Sequence, residues 1–294
     1  MRYLILFLMA AVLFAKNMVI GSGGVGGNYY KVAQDIVDFC REDIKKKYGY
    51  DLVNKSTKGS VENLNGLLKK KLSLGFVQED VYFYFKRRDQ LNTIENKTKM
   101  LFHLYPEYIH ILIPKGWKPK SSGFMSLFEN LFNTHKDISI YSLKNQTVYA
   151  KGGALVSAEA LSYFLGLNLK ILDASKHKVD GPFIFVTGSG DERIQKMLSG
   201  GKWMLLSFNG NELANKVSFY KPAEVTYIVD GKAVSAKTAA VMSNVYARKY
   251  RSKKRKEAVE AVKECVKSKI DELIDDGESD KWTIIQQTNG WGDE

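Results

Sequence analysis

"MVIGSGGVGGNYYKVAQ", residues 18–34, is an apolar strand that passes through a glycine-rich loop into an amphipathic helix. Gly21, Gly23 and Gly26 stand at G-x-G-x-x-G spacing, which turns a strand sharply into a helix and lets backbone amides approach an anion. The dinucleotide form of this loop also needs an acid at the end of the next strand to hold the ribose hydroxyls. Here that strand, "YDLVNKS", carries its acid, Asp51, at the start instead. A P-loop needs a Gly-Lys-Ser/Thr that does not follow. What remains is a turn whose amides, with the positive end of the helix opening at Asn28, favour a small carboxylate as readily as a phosphate. One helix end contributes only ~0.3–1 kcal/mol, whereas micromolar binding takes about 8 kcal/mol, so further groups must converge on the same ligand.

The chain around this stretch alternates strand and helix. "NMVIGS" reads as a strand, Asn28 to Lys46 as an amphipathic helix, "YDLVNKS" as a strand, and Ser60 to Lys71 as a helix with Ser60 as N-cap. "LSLGFV" is a third strand and Gln78 to Gln90 a third helix. This βαβαβα order implies a parallel sheet with right-handed crossovers. "MLFHLY" and "YIHILIPKG" read as two more strands, and residues 117–140 as an inserted loop with a short apolar helix, "FMSLFENLF". A second set follows: "QTVYA", a helix from Ser157, "LKILDA", "PFIFVTG", a helix from Asp191 and "KWMLLSF". A hairpin turning at Asp230-Gly231 and a charged helix from Asn244 to Asp275 complete the chain. The expected fold class is α/β, with two lobes that are each a mainly parallel sheet flanked by helices. The expected boundaries are 16–113 with about 208–294 for lobe 1 and 114–207 for lobe 2.

Two more strand-to-helix junctions in the first lobe offer ligand groups. "NKSTKGSVENL", residues 54–64, supplies Ser56, Thr57, Ser60 and Asn63; "LGFVQEDVYFYF", residues 74–85, supplies Gln78. In an open α/β sheet the ligand crevice lies beyond the carboxyl ends of the strands, where all three loops fall. Singly, each polar residue reads more simply as a cap or a surface group, and Glu79 with Asp80 as acids complementing a helix dipole.

Together "GSGGVGGNYY", "STKGSVENL" and "LGFVQEDVYFYF" resemble the three N-terminal signatures of the TAXI family, extracytoplasmic receptors of tripartite ATP-independent periplasmic (TRAP) transporters. "HLYPEYIHILIP" and "DGPFIFVTGSGDERIQKML" resemble later strands of that family. The resemblance implies a type II periplasmic binding protein fold, closing without a cofactor on a small organic anion such as glutamate, a dicarboxylate or a keto acid. Its partner would be a TRAP membrane permease. Carried onto this sequence, it puts Gly24, Val25, Gly26, Gly27, Asn28, Tyr29, Ser60, Asn63 and Gln78 at the ligand from one lobe. Ser157, Thr187 and Gly188 would face them from the other. Lys58, Lys151 and Arg193 are candidate carboxylate partners, and residues 113–116 and 205–210 the expected hinge. The sequence departs from the family at Val25 and Asn28, which replace hydroxyl residues, at Lys58, which replaces a glycine, and in "KGGALVSAEAL", where the family has a Gly-Ser-Gly-Thr-like helix start. The alternatives are a ligand-binding partner of a sensor kinase and, on the glycine loop alone, a dinucleotide-binding enzyme.

Composition agrees with an exported globular protein. Residues 1–15 read as a signal peptide, a basic start followed by a short apolar run, so the mature protein is expected in the periplasm; Leu13 stands where a small residue is usual before the cut, which leaves an uncleaved anchor as the alternative. Of 294 residues 44 are Lys or Arg and 32 Asp or Glu, a net charge of +12, but the cations are scattered over helix faces. The densest run, Arg248 to Glu264, alternates with apolar residues and lacks interleaved aromatics, so no nucleic-acid partner is expected. The two cysteines, Cys40 and Cys265, lie on apolar helical stripes and read first as buried thiols, with a disulfide as the alternative. The histidines have no metal-ligand spacing, and Ser189 in "VTGSGDE" lacks the nucleophile-elbow pattern, so neither a metal site nor an enzyme is expected.

Overall fold

The structure, a computed structural model, describes residues 16–119 and 139–291. The segment expected as a signal peptide and the helix expected at 124–132 lie outside the described residues. The first lobe begins with β1 (Lys16–Gly21), α1 (Asn28–Tyr48), β2 (Tyr50–Lys55), α2 (Ser60–Leu68), β3 (Leu74–Gln78) and α3 (Glu79–Arg88). β1 lies between β2 and β3, parallel to both, as the alternating pattern requires. α1 buries its apolar stripe, from Val32 and Ala33 through Ile36 to Cys40 and Ile44, on this sheet. It stops at Gly49, which adopts φ 68° and returns its amide to the Lys45 carbonyl. α2 starts one residue earlier than a Ser60 cap would allow: Gly59, at φ 93°, is the cap, and Ser60 is the first helical residue.

A short α4 (Thr93–Lys97) leads into β4 (Thr98–Pro114). The second lobe contains β5 (Thr147–Ala150), α5 (Ala154–Phe164), β6 (Lys170–Asp173), β7 (Phe183–Thr187), α6 (Glu192–Ser199), β8 (Trp203–Leu205) and α7 (Gly210–Ala214). The antiparallel pair β9 (Tyr220–Val229) and β10 (Lys232–Arg248) follows, and α8 (Lys253–Ser268), α9 (Ile270–Asp276) and α10 (Trp282–Asn289) end the described chain. α5 opens at Ala154, ahead of the expected Ser157.

β4 and β10 are 17 residues each and pair antiparallel with one another through both lobes. The two strands expected at "MLFHLY" and "YIHILIPKG" are thus one. Pro106 lies within it, opposite Met242, beside a register shift between Met242 and Asn244; an irregularity is where a strand accommodates a residue with no N–H to donate. On one side of the shift, Ser243–Ala247 of β10 pair with β3 of the first lobe. On the other, β10 pairs with β9 as far as Val241, and β4 pairs with β7 from Tyr108 onward. The chain therefore crosses between lobes at His103–Tyr108 and Val241–Asn244. The expected hinge at 113–116 and 205–210 is corrected, because Leu112–Pro114 and Trp203–Leu205 are hydrogen-bonded to each other inside the second lobe's sheet.

The first core gathers Met18, Ile36, Phe76, Phe102, Val262 and Trp282; the second gathers Ile111, Leu143, Val148, Leu161, Leu213 and Tyr220. The helix expected from Asn244 begins only at Lys253, because Asn244–Arg248 complete the β10 ladder. Cys40 on α1 and Cys265 on α8 form a disulfide, which corrects the reading of two separate thiols. Each stripe faced the other helix, a proximity that sequence spacing cannot show.

Candidate functional site: the crevice between the lobes

The three first-lobe loops meet at the carboxyl ends of β1, β2 and β3. Asn63, fully buried, fastens them: its Nδ2 donates to the carbonyls of Ser22 (2.7 Å) and Phe76 (2.8 Å), and its Oδ1 accepts from Thr57 Oγ1 (2.8 Å). Gly21 has to be glycine here, since a Cβ would lie 2.3 Å from Leu72 Cδ1 and 2.6 Å from Asn63 Oδ1. Gly24, Val25, Gly26 and Gly27 form an exposed turn closed by the Gly27 amide on the Gly24 carbonyl (3.0 Å), with Gly26 at φ 79°.

Ser60 and Gln78, both buried, bind each other: Ser60 Oγ accepts from the Gln78 amide (3.1 Å) and donates to Gln78 Oε1 (3.4 Å). The second lobe's α5 is seated directly above them. A Cβ on its capping Gly153 would stand 2.2 Å from Gln78 Oε1 and 3.5 Å from Ser60 Oγ. At the other end of the crevice a Cβ on Gly188 would lie 3.1 Å from Asn28 Nδ2, 3.4 Å from Lys281 Cε and 3.8 Å from the Tyr105 ring. The two lobes are in contact here, and the helix starts of α1, α2, α3 and α5 all face the contact.

Buried acids stand along this seam. Asp80 of α3 accepts from Ser157 Oγ of α5, from Tyr220 OH of β9 (2.9 Å) and from the Val81 amide (2.7 Å). Burial pushes its pKa up, and the bonds from Ser157 and Tyr220 oppose that shift. Glu107 of β4, 7% exposed, accepts from Tyr29 OH at 2.7 Å. Burial raises its pKa to about 8, with the Asp80 charge adding to the rise and Tyr29, Gln78 and Arg193 pulling it back. Tyr105, 1% exposed, has its ring centroid 6.2 Å from that of Tyr29, and its hydroxyl has no hydrogen-bond partner in the protein. Burial, then the charges of Glu107, Asp280 and Asp191, raise its pKa well above the ordinary value.

Thr187 Oγ1 donates to Asp191 (2.7 Å), which caps α6 through the Arg193 amide (2.9 Å) and takes the Arg193 guanidinium as well (Nε 3.0 Å). Burial pushes Asp191 up, but the bonds from Arg193 and Thr187 outweigh it and hold the carboxyl below its usual range. The structure thus brings Asn28, Tyr29, Ser60, Gln78, Thr187 and Gly188 to one seam, where the lobes meet in direct contact. Ser157 is there too, bound to Asp80. Asn63 sits beneath the crevice as a brace, and Gly24–Gly27 form its exposed edge. Of the candidate cations, Arg193 is engaged by Asp191, while Lys58 and Lys151 are exposed.

The sequence pattern does not single out Tyr105, Glu107 or Tyr220, and in it Asp80 reads only as a helix-dipole partner. The one legible signal was the acid in "HLYPEYIHILIP", a carboxylate in the middle of an otherwise apolar strand. His103 bonds Asn244 (2.7 Å) and His110 bonds Tyr227 (2.8 Å); burial lowers the His110 pKa to about 4 and keeps it neutral. Among the described residues no group of His, Cys, Asp and Glu could hold a metal ion, and no helix is long and apolar enough to cross a membrane. An open groove of about 1020 Å³, lined by Phe83, His103, Pro106, Phe219 and Met242, lies off the crevice and contains none of the expected site residues.

The chain is similar to several solved structures. One is the alkanesulfonate-binding protein SsuA from Xanthomonas axonopodis pv. citri bound to MOPS (12% identity, 94% of this chain and 80% of that one, TM-score 0.46). Another is the GluR0 ligand-binding core with L-glutamate (9% identity, 94% and 97%, TM-score 0.43). A third is the ligand-binding component of an ABC-type import system from Staphylococcus aureus with zinc bound (11% identity, 94% and 84%, TM-score 0.43). The sequence model of the NMT1-like family matches residues 20–252, spanning β1 through β10 and so both lobes and the crevice between them, and the chain belongs to that family.

Proposed function

We propose that the protein is an extracytoplasmic solute receptor. It takes a small organic acid (an amino acid, a dicarboxylate or a keto acid) between its lobes, catalyses no reaction on it, and hands it to a membrane permease. The observation that carries this reading is the meeting of Ser60 and Gln78 with Gly153, and of Asn28 with Gly188, because it sets donors and helix starts of two lobes around one place. The positive ends of α1, α2, α3 and α5 there favour a carboxylate. Delivery to a TRAP-type permease is the finer form of the proposal and rests on the likeness of the three loops to the TAXI receptors.

A ligand that binds only the native state raises the melting temperature in proportion to RT ln(1 + [L]/Kd). A panel of amino acids, dicarboxylates, keto acids and nicotinamide dinucleotides therefore tests the reading by thermal shift. Stabilisation by one organic acid, recovered chemically unchanged, supports it; stabilisation by a dinucleotide alone, or conversion of the acid, overturns it. Uptake of that acid into vesicles holding a TRAP permease, dependent on added protein, tests the transport step.

A further inference from the structure

Glu107, like Asp80, is a buried acid of the crevice with no cation bound to it among the described residues. Its faces are set by Tyr29 of α1, Gln78 of β3, Asp80 of α3, Tyr105 of its own strand and Arg193 of α6. Arg193 is the cation among them, and it is held at 3.0 Å by Asp191. Lys281, which approaches from α10's capping turn beside Gly188, is held at 2.8 Å by Asp280. Asp80 is saturated by Ser157, Tyr220 and Val81. Beside Glu107 stand the rings of Tyr29 and Tyr105, their centroids 6.2 Å apart. Beside it the Tyr105 hydroxyl, buried and without a protein partner, has lone pairs free to accept an N–H.

A buried carboxyl, aromatic faces and an unpartnered hydroxyl acceptor are the surroundings that stabilise a desolvated ammonium. We propose that Glu107, Tyr105 and Tyr29 form an ammonium subsite, so that the solute taken between the lobes carries a primary amine besides its carboxylate, and that its capture expels the Glu107 proton to solvent. The proposal rests on the receptor reading above and narrows it to amino acids and related zwitterions. In the free protein burial keeps Glu107 mainly protonated at neutral pH. An ammonium within ~4–6 Å favours the carboxylate and lowers that pKa, so binding tightens as pH rises toward that of the free group.

The experiment is isothermal titration calorimetry of the full mature chain at pH 7 in two buffers of different ionisation enthalpy, with the twenty common amino acids and the 2-oxo acids that share their side chains. The expected result is an amino acid that binds at least tenfold more tightly than its 2-oxo counterpart and releases close to one proton. Glu107→Gln should lose that preference tenfold or more and release no proton. Equal or tighter binding of the 2-oxo acid, or binding of the amino acid with no proton released, overturns the ammonium assignment and leaves the receptor reading standing. Silence from both sets overturns the ammonium assignment, and silence from dicarboxylates as well overturns the receptor reading. The proton count is read on the unmodified protein, so the test does not depend on the variant's folding.

Discussion

Ser157 of the second lobe donates a hydrogen bond to Asp80 of the first, and both are buried. The bond crosses the seam. Tyr220 reaches the same carboxylate from β9, and one turn further along α3 Phe83 stacks on Phe219 at 5.3 Å. Removing a donor from a buried carboxylate leaves it under-solvated and costs about 1–3 kcal/mol. Ser157→Ala should therefore lower stability by that amount in urea unfolding and increase the exposure of the α3–α5 face to hydrogen exchange. An unchanged exchange pattern would show that the bond does not hold the lobes together.

Gly153 of the second lobe packs against Gln78. Its φ of −60° suits any residue, so Gly153→Ala acts through space alone. The added methyl meets Gln78 Oε1 at 2.2 Å, and the lobes must separate or Gln78 must give up Ser60. Affinity for the best solute should fall about tenfold or more, and the melting temperature of the free protein should fall with it, because the lobes already touch there without a solute. Shortening the opposing side chain, with Gln78→Ala added, should restore part of the closure, read by small-angle scattering with ligand.

Asn63 was expected to touch the ligand, and the structure makes it the brace beneath the loops. Asn63→Ala would leave the Ser22 and Phe76 carbonyls and the Thr57 hydroxyl short of a partner and open a void, a loss of about 2–4 kcal/mol. Chemical denaturation measures this directly. Affinity lost without lost stability would return Asn63 to the ligand's contacts.

The raised pKa of Glu107 fixes the sign of a pH dependence. The native state holds a proton that the unfolded chain has released from its ordinary value of 4.5 upward, until the native group also ionises near 8. The stability contributed by protonated Glu107 is therefore present at low pH and lost as pH rises through that window, on the order of 5 kcal/mol in all. Urea midpoints followed from about pH 5 to about pH 8 should fall more steeply for the unmodified protein than for Glu107→Gln.

The disulfide joins α1 to α8, two helices 225 residues apart in sequence that both pack on the first core. A link across so long a segment restricts the unfolded chain, and its loss costs about 2–4 kcal/mol. Cys40→Ser with Cys265→Ser should show this as a lower midpoint in guanidinium, with the second lobe's solute contacts intact.

The first lobe was legible because its cues are local. Glycines at strand-to-helix turns, apolar stripes on α1 and the buried run "LGFVQ" each specify their element without reference to the rest of the chain. Ser60 and Gln78 could be placed in one crevice because parallel strands deliver their following loops to the same edge. The joining of β4 across Pro106 and the strand character of Asn244–Arg248 were hidden, since both depend on partners more than 130 residues away. The acids were hidden for a different reason. Asp80 and Glu107 carry their meaning only through burial, which a sequence records weakly: Asp80 reads as a helix-dipole partner until Tyr220 and Ser157 are seen around it.

β4 and β10 belong to both lobes at once, and this limits how the molecule can move. A linker would let two bodies swivel freely, but a pair of laddered strands has to flex as a leaf spring, with its weakest point at the irregular pairing around Pro106 and Met242. Neither half can be excised with an intact sheet. Any surface that docks on this protein therefore meets a single bending plate, and a solute bound on one flank necessarily sets the tilt of the other.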